Sequence, residues 1–133
     1  MTEARHGALT ALVVEDDAAN LALLDELLRE DGFAPTCCAR GRPALQALAQ
    51  RPFDLLLIDL RLPDLNGLEI CVAARARYGA APVIVIVTAD DRPRRWVTAL
   101  EHGADDCIGK PFDVDVLLAH IHAKLRQVDR VDT

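Results

Sequence analysis

Two runs, "LLLI" at 55–58 and "VIVIV" at 83–87, are apolar at every position. Successive side chains of a strand point to opposite faces, so a strand without alternation must be covered on both sides. Parallel sheets packed between helices meet that condition, and the intervening sequence supplies the helices. "AANLALLDELLRE" sets Leu21, Leu24, Leu27 and Leu28 on one face and stops at Gly32. "GRPALQALAQ" carries Pro43 in its first turn and is closed by Pro52; "NGLEICVAARARYG" places Leu68, Cys71, Val72 and Arg75 together before Gly79. "RPRRWVTALEHG" has Pro93 near N1 and Gly103 as a C′ cap, and "DVDVLLAHIHAKLRQ" repeats Val114, Leu117, Leu118, Ile121 and Leu125. With "LTALVV", "FAPTCC" and the shorter "DDCIGK" as the remaining strands, strand followed by helix recurs along the whole chain. The expected fold is α/β, a doubly wound five-stranded parallel sheet with helices on both faces.

The chain has 133 residues, which is one domain's worth. Residues 1–7 read as a disordered N-terminus, 8–127 as the domain, and 128–133 as a tail or the start of a linker. Lys and Arg number 15 against 21 Asp and Glu, a formal charge of -6 that speaks against direct nucleic-acid contact by this domain. No apolar run spans a bilayer and the N-terminus lacks the core of a signal peptide, so a soluble, cytoplasmic protein is expected. Cys37, Cys38, Cys71 and Cys107 have no CxxC spacing and read as small buried apolar residues. His120 and His122 lie two apart on a helix and do not share a face, which argues against a histidine metal site.

In doubly wound sheets ligands bind beyond the carboxyl ends of the strands, where the strand order reverses. The first strand ends in Glu15 and Asp16, followed by Asp17; the third ends in Asp59, the fourth in Thr88, and Lys110 follows the fifth. One Asp would suffice as a helix N-cap. Three adjacent carboxylates repel by roughly 4 kcal/mol per pair at an effective dielectric near 20, so the cluster calls for a cation. Carboxylates without a glycine-rich phosphate loop suit hard divalent Mg²⁺. Asp59, between the cation site and Lys110, is the candidate nucleophile toward phosphorus, with Thr88 placed to hydrogen-bond a phosphoryl oxygen.

"LVVEDD", "DLLLIDLRLPDLNGLE", "VIVIVTAD" and "GADDCIGKPF" resemble, in order, the signature segments of the receiver domains of two-component response regulators, over about residues 8–126. The resemblance implies a flavodoxin-like, receiver-type fold. It makes Glu15 and Asp16 the acid pair for Mg²⁺, Asp59 the phosphoacceptor, Arg61 the residue whose backbone carbonyl completes the metal shell, Thr88 the switch hydroxyl and Lys110 the partner of the phosphoryl group. It further implies a cis Lys110-Pro111 peptide and a phosphohistidine donor on a sensor histidine kinase or histidine phosphotransfer protein. The output partner or domain would be reached through the face of the fourth helix, fifth strand and fifth helix, with room for a homodimer on phosphorylation. Such a chain is a signalling phosphoacceptor and not an enzyme, although it assists its own phosphotransfer and dephosphorylation.

Cys107 stands where the family usually carries Tyr or Phe, so the usual aromatic coupling is expected to be weaker. Asn66 replaces a common Asp without functional consequence, since Asn suits the same turn. Trp96, the sole Trp, reads either as core or as a partner-facing anchor. A haloacid-dehalogenase-type enzyme would want a second acid where Arg61 stands, and a flavodoxin-like nucleotide binder would find its phosphate repelled by Glu15, Asp16 and Asp17. A pseudo-receiver acting as an unphosphorylated interaction module is the remaining alternative, and the full acid, hydroxyl and lysine set speaks against it.

Overall fold

The computed structural model of the chain describes residues 8–132. The stretch 1–7, expected to be disordered, lies outside them. Five strands, β1 (Leu9–Val14), β2 (Phe33–Cys38), β3 (Leu55–Ile58), β4 (Val83–Thr88) and β5 (Asp106–Gly109), alternate with helices α1 (Ala18–Glu30), α2 (Gly41–Gln50), α3 (Gly67–Tyr78), α4 (Pro93–Glu101) and α5 (Val114–Asp132). The strands form one parallel sheet in the order β2-β1-β3-β4-β5, so the expected doubly wound architecture is what the chain adopts.

Strand pleating divides the apolar runs between two cores. Leu12, Val14, Leu56, Ile58, Ile84 and Ile86 face one way, against Ala44 and Leu48 of α2, Ile70, Cys71 and Ala74 of α3, and Ala99 of α4. Val13, Leu55, Leu57, Val83, Val85 and Val87 face the other way, against Leu24 and Leu28 of α1 and Leu117 and Ile121 of α5. Every residue of β3 and β4 is buried. Each such Val, Leu or Ile contributes about 1.5–3 kcal/mol relative to an exposed position, which makes the central strands the stable centre of the domain. Pro35 is tolerated in β2 because that strand is an edge and pairs only with β1.

Three expectations need correction. Cys37 is exposed and Cys38 half-buried, while Cys71 and Cys107 are buried as expected. Adjacent residues of an edge strand point to opposite sides, and the side of Cys37 meets Asp25 of α1 at 3.5 Å rather than the core. On α3, Val72 is 48% exposed, and the buried face is Gly67, Ile70, Cys71 and Ala74. The 3.6-residue period carries Val72 away from the sheet. Finally, α5 continues to Asp132, so residues 128–132 of the stretch read as a tail or the start of a linker belong to the last helix.

Arg75, read as part of the α3 apolar face, is instead a polar staple at the end of the sheet away from the strand carboxyl ends. Its guanidinium donates to the carbonyls of Gly103 (2.9 Å), Gly79 (3.0 Å) and Pro82 (2.7 Å) and pairs with Asp105 at 2.9 Å. Asp105 in turn accepts from the Ile84 amide at 2.8 Å. One side chain thus ties the C-terminus of α3, the entry to β4 and the turn before β5. Arg75→Met, which keeps the stem but leaves these acceptors unpaired, should lower the unfolding free energy by about 2 to 4 kcal/mol in urea titration, with an unchanged m value.

Candidate functional site

Strand order reverses between β1 and β3, and the crevice at their carboxyl ends receives the acids. Backbone pairing runs on past the strands: Glu15 N–H donates to the Cys38 carbonyl (3.0 Å), Asp59 N–H to Val14 (3.0 Å) and Lys110 N–H to Thr88 (2.8 Å). The first polar residue after each apolar run is therefore held as rigidly as the strand itself. Glu15, Asp59 and Thr88 are 2%, 8% and 1% exposed.

The three adjacent carboxylates divide their tasks. Glu15 turns inward and also accepts from Asp17 N–H at 3.0 Å. Asp16 is exposed at the crevice. Asp17 is the N-cap of α1, accepting from Asn20 N–H at 3.0 Å. Glu15, Asp16 and Asp59 offer carboxylate oxygens that all lie within 4.8 Å of one another. Lys110 reaches in from beyond β5, donating to Asp59 Oδ2 at 2.9 Å and to Glu15 Oε1 in a short contact. Asp59 Oδ1 accepts from the Arg61 N–H at 3.2 Å. Gly67 packs beneath, because a Cβ there would come within 2.2 Å of the Asp59 carbonyl oxygen. The Lys110-Pro111 peptide is cis, as the sequence resemblance implied.

A family model described as the response regulator receiver domain matches residues 11–122. The chain belongs to that family. The receiver is 39% identical over 120 residues to "Response regulator ArlR" of Staphylococcus saprophyticus, covering 90% of this chain and 54% of the relative. It is 42% identical over 118 residues to "DNA-binding response regulator MtrA" of Mycobacterium tuberculosis, covering 89% of this chain and 51% of the relative. The chain thus spans about half the length of these relatives. Among solved structures, a CheY-like response regulator receiver domain protein from Methanospirillum hungatei superposes with TM-score 0.88 at 28% identity, covering 93% of this chain and 98% of that one. The BeF3-activated N-terminal receiver domain of Klebsiella pneumoniae RstA does so with TM-score 0.81 at 31% identity, covering 88% and 98%.

Around the receiver's acids the sequence had not singled out Asp90. Its side chain is 7% exposed and gathers Arg92 (2.7 Å), Arg95 (3.4 Å) and Arg61 (3.9 Å). The hydrogen bond from Arg92 holds the Asp90 carboxyl well below the usual carboxylate range. The signal in the chain was the segment "DDRPRR", two acids followed by three arginines at 90–95. Asp16, Asp59, Arg61, Thr88, Asp90 and Arg92 together line a cavity of about 460 Å³, so the acid floor has a basic rim. Trp96, half-buried against the core, donates its indole N–H to the Asp90 carbonyl at 2.8 Å and lies over Gly109. The buried thiol of Cys107 points at the Trp96 carbonyl, 4.0 Å away. Asn66 caps α3 in a capping box with Glu69, a structural task that Asp would perform equally.

Burial pushes the Glu15 pKa above its ordinary 4.5, against the hydrogen bonds from Lys110 and Asp17 that lower it. For Lys110, burial acts to lower the pKa, but hydrogen bonds to Glu15 and Asp59 outweigh it and raise the value above 10.5. Both folded values exceed the unfolded ones, so each contribution to stability is full below the unfolded pKa and is lost as pH rises through the folded one. Lys110 thus keeps its contribution at neutral pH, whereas the contribution of Glu15 falls as pH rises above its ordinary carboxylate range. The stability of the metal-free Glu15→Gln receiver relative to wild type should therefore rise from pH 4 to pH 7. Thermal melts across that range in EDTA measure it.

Proposed function

We propose that Asp59 accepts a phosphoryl group from a phosphohistidine on a sensor histidine kinase or histidine phosphotransfer protein, in a Mg²⁺-dependent reaction. The observation that carries this reading is the setting of Asp59: nearly buried, with carboxylate oxygens of Glu15 and Asp16 within 4.8 Å and Lys110 Nζ 2.9 Å away. The donor set suits a hard cation, since three carboxylates converge and one of them, Glu15, is buried at a cost that a cation relieves. Glu15, Asp16 and Asp59 would hold Mg²⁺ together with the Arg61 backbone carbonyl. Bound there, Mg²⁺ supplies charge neutralisation for phosphoryl oxygens and orients them.

The chain's own groups account for the rest. A carboxylate oxygen of Asp59 attacks phosphorus, the P–N bond breaks, and the imidazole leaves with the electron pair. Lys110 donates to a phosphoryl oxygen. Thr88 Oγ1 accepts from Asp90 N–H at 3.2 Å, which leaves its own O–H to donate to another phosphoryl oxygen. The phosphoryl group brings a charge of about -1.5 to -2, and the pull on Thr88 and Lys110 shifts the ends of β4 and β5 and with them α4. The face of α4, β5 and α5 carries exposed Val97, Leu100 and Val116, suited to an output partner, an output domain or a second phosphorylated copy.

On this reading the chain is a cytoplasmic signalling phosphoacceptor and not an enzyme. The family match and the complete acid, hydroxyl and lysine set speak for it over an unphosphorylated module. The DNA binding in the name of MtrA belongs to a protein about twice as long; for this acidic chain we propose action on an output rather than on DNA itself. Among the described residues no helix is long and apolar enough to cross a membrane. With acetyl phosphate and Mg²⁺, intact-mass measurement should show a phosphoryl adduct in wild type, abolished by EDTA and by Asp59→Asn. An adduct that persists in Asp59→Asn would move the site elsewhere.

A further inference from the structure

The loop between β3 and α3 carries Arg61, and its ends are pinned by an Arg61–Asn66 bridge and by Gly67 N–H donating to the Leu60 carbonyl at 2.8 Å. Its tip is fastened elsewhere. Asp64 Oδ1 accepts from Gly41 N–H and Oδ2 from Arg42 N–H, both at 2.8 Å. These are first-turn amides of α2, and the N-cap residue of that helix, Arg40, makes no side-chain cap hydrogen bond. Leu65 then packs so closely on Gly41 that a Cβ at position 41 would lie 2.3 Å from Leu65 Cδ1. The loop tip thus supplies the cap that α2 lacks, and α2 supplies a glycine cradle for the loop tip.

We propose that Asp64 is a positioning residue for the metal: by docking the loop tip on α2 it holds the Arg61 backbone in the conformation that serves the acid cluster. This rests on the Mg²⁺ reading of Glu15, Asp16 and Asp59 given above. The physical reason is that Asp64 ties the tip of the 60–66 loop to α2, and a loop that samples other conformations binds in proportion to its competent fraction. Arg61 N–H also donates to Asp59 Oδ1, so loosening the tip frees one oxygen of the phosphoacceptor as well.

The test compares wild type, Asp64→Ala and Asp64→Asn, the last keeping one acceptor oxygen. Asp64→Ala is expected to weaken Mg²⁺ binding in calorimetry about fivefold, the factor that a lost cap of about 1 kcal/mol implies, with Asp64→Asn in between. In the acetyl phosphate reaction the Mg²⁺ concentration for half-maximal rate should rise by the same factor while the rate at saturating Mg²⁺ is retained. In metal-free protein, amides of the 60–66 loop should exchange faster in Asp64→Ala while β3 and β4 keep their protection. Wild-type Mg²⁺ affinity in Asp64→Ala, or a lowered melting temperature with affinity unchanged, overturns the proposal. If wild type itself fails to bind Mg²⁺, the reading of the acid cluster falls first and this one with it.

Discussion

The ammonium of Lys110 is shared between Glu15 and Asp59, and the rest of the site is arranged around that sharing. Two carboxylates nearly closed off from water at the β1/β3 crevice repel each other, and desolvation penalises the charged form of Glu15. A single cation donating to both offsets part of the cost without removing the net negative charge. The floor of the site therefore remains short of positive charge, which is the condition under which its acids could hold a metal ion. The geometry depends on the whole sheet. Lys110 follows β5, an edge strand separated from β1 by β3 and β4, so parallel register across these strands must hold for its side chain to meet Glu15.

Packing maintains that register. The central strands are buried on both faces, and slipping a strand by one residue would exchange the side chains of the two cores. The cores differ in shape, with α1 and α5 covering one face and α2, α3 and α4 the other, so such an exchange is strongly disfavoured. At the far end Arg75 links α3, the entry to β4 and the turn before β5, fixing the β4–β5 pair from below while Thr88 and Lys110 sit at its top. Apolar strand interiors and polar ends are two aspects of one pattern: side chains stay hydrocarbon until the chain emerges at the crevice.

The cavity rim is organised around Asp90. Asp90 gathers Arg61, Arg92 and Arg95, and its carbonyl receives the Trp96 indole N–H, so the β4–α4 loop is bound to α4 through both charge and ring. Where the resemblance led one to expect an aromatic at position 107, a buried thiol sits beside Trp96 instead. The large ring in this region thus belongs to the helix and not to the strand. The sequence left open whether Trp96 is core or interface. Its half-buried indole packs against the core and makes its hydrogen bond within the chain.

The fold class and the acid, hydroxyl and lysine positions were legible in the residues themselves, because short apolar runs recurred between helical patterns, and a chemically distinctive residue followed or closed the first, third, fourth and fifth strands. Local chemistry was legible for the same reason: Pro93 at the start of a helix acts within a turn of where it stands, whereas the assignment of the α1 cap to Asp17 came from the structure. Tertiary structure alone decided which of the three adjacent carboxylates turns inward, since Glu15, Asp16 and Asp17 differ in direction and not in kind. It also decided that Arg75 is a staple and Val72 is exposed, because helical phase relative to a neighbour is set by packing and a long charged side chain can follow apolar surface before its head finds carbonyls. Asp64 on Gly41 and Arg42, and Asp90 under its arginines, belong to the same class. Partners 22 residues apart, as for Asp64 and Arg42, leave no periodic trace in a sequence and meet only when the sheet brings the loops to one edge.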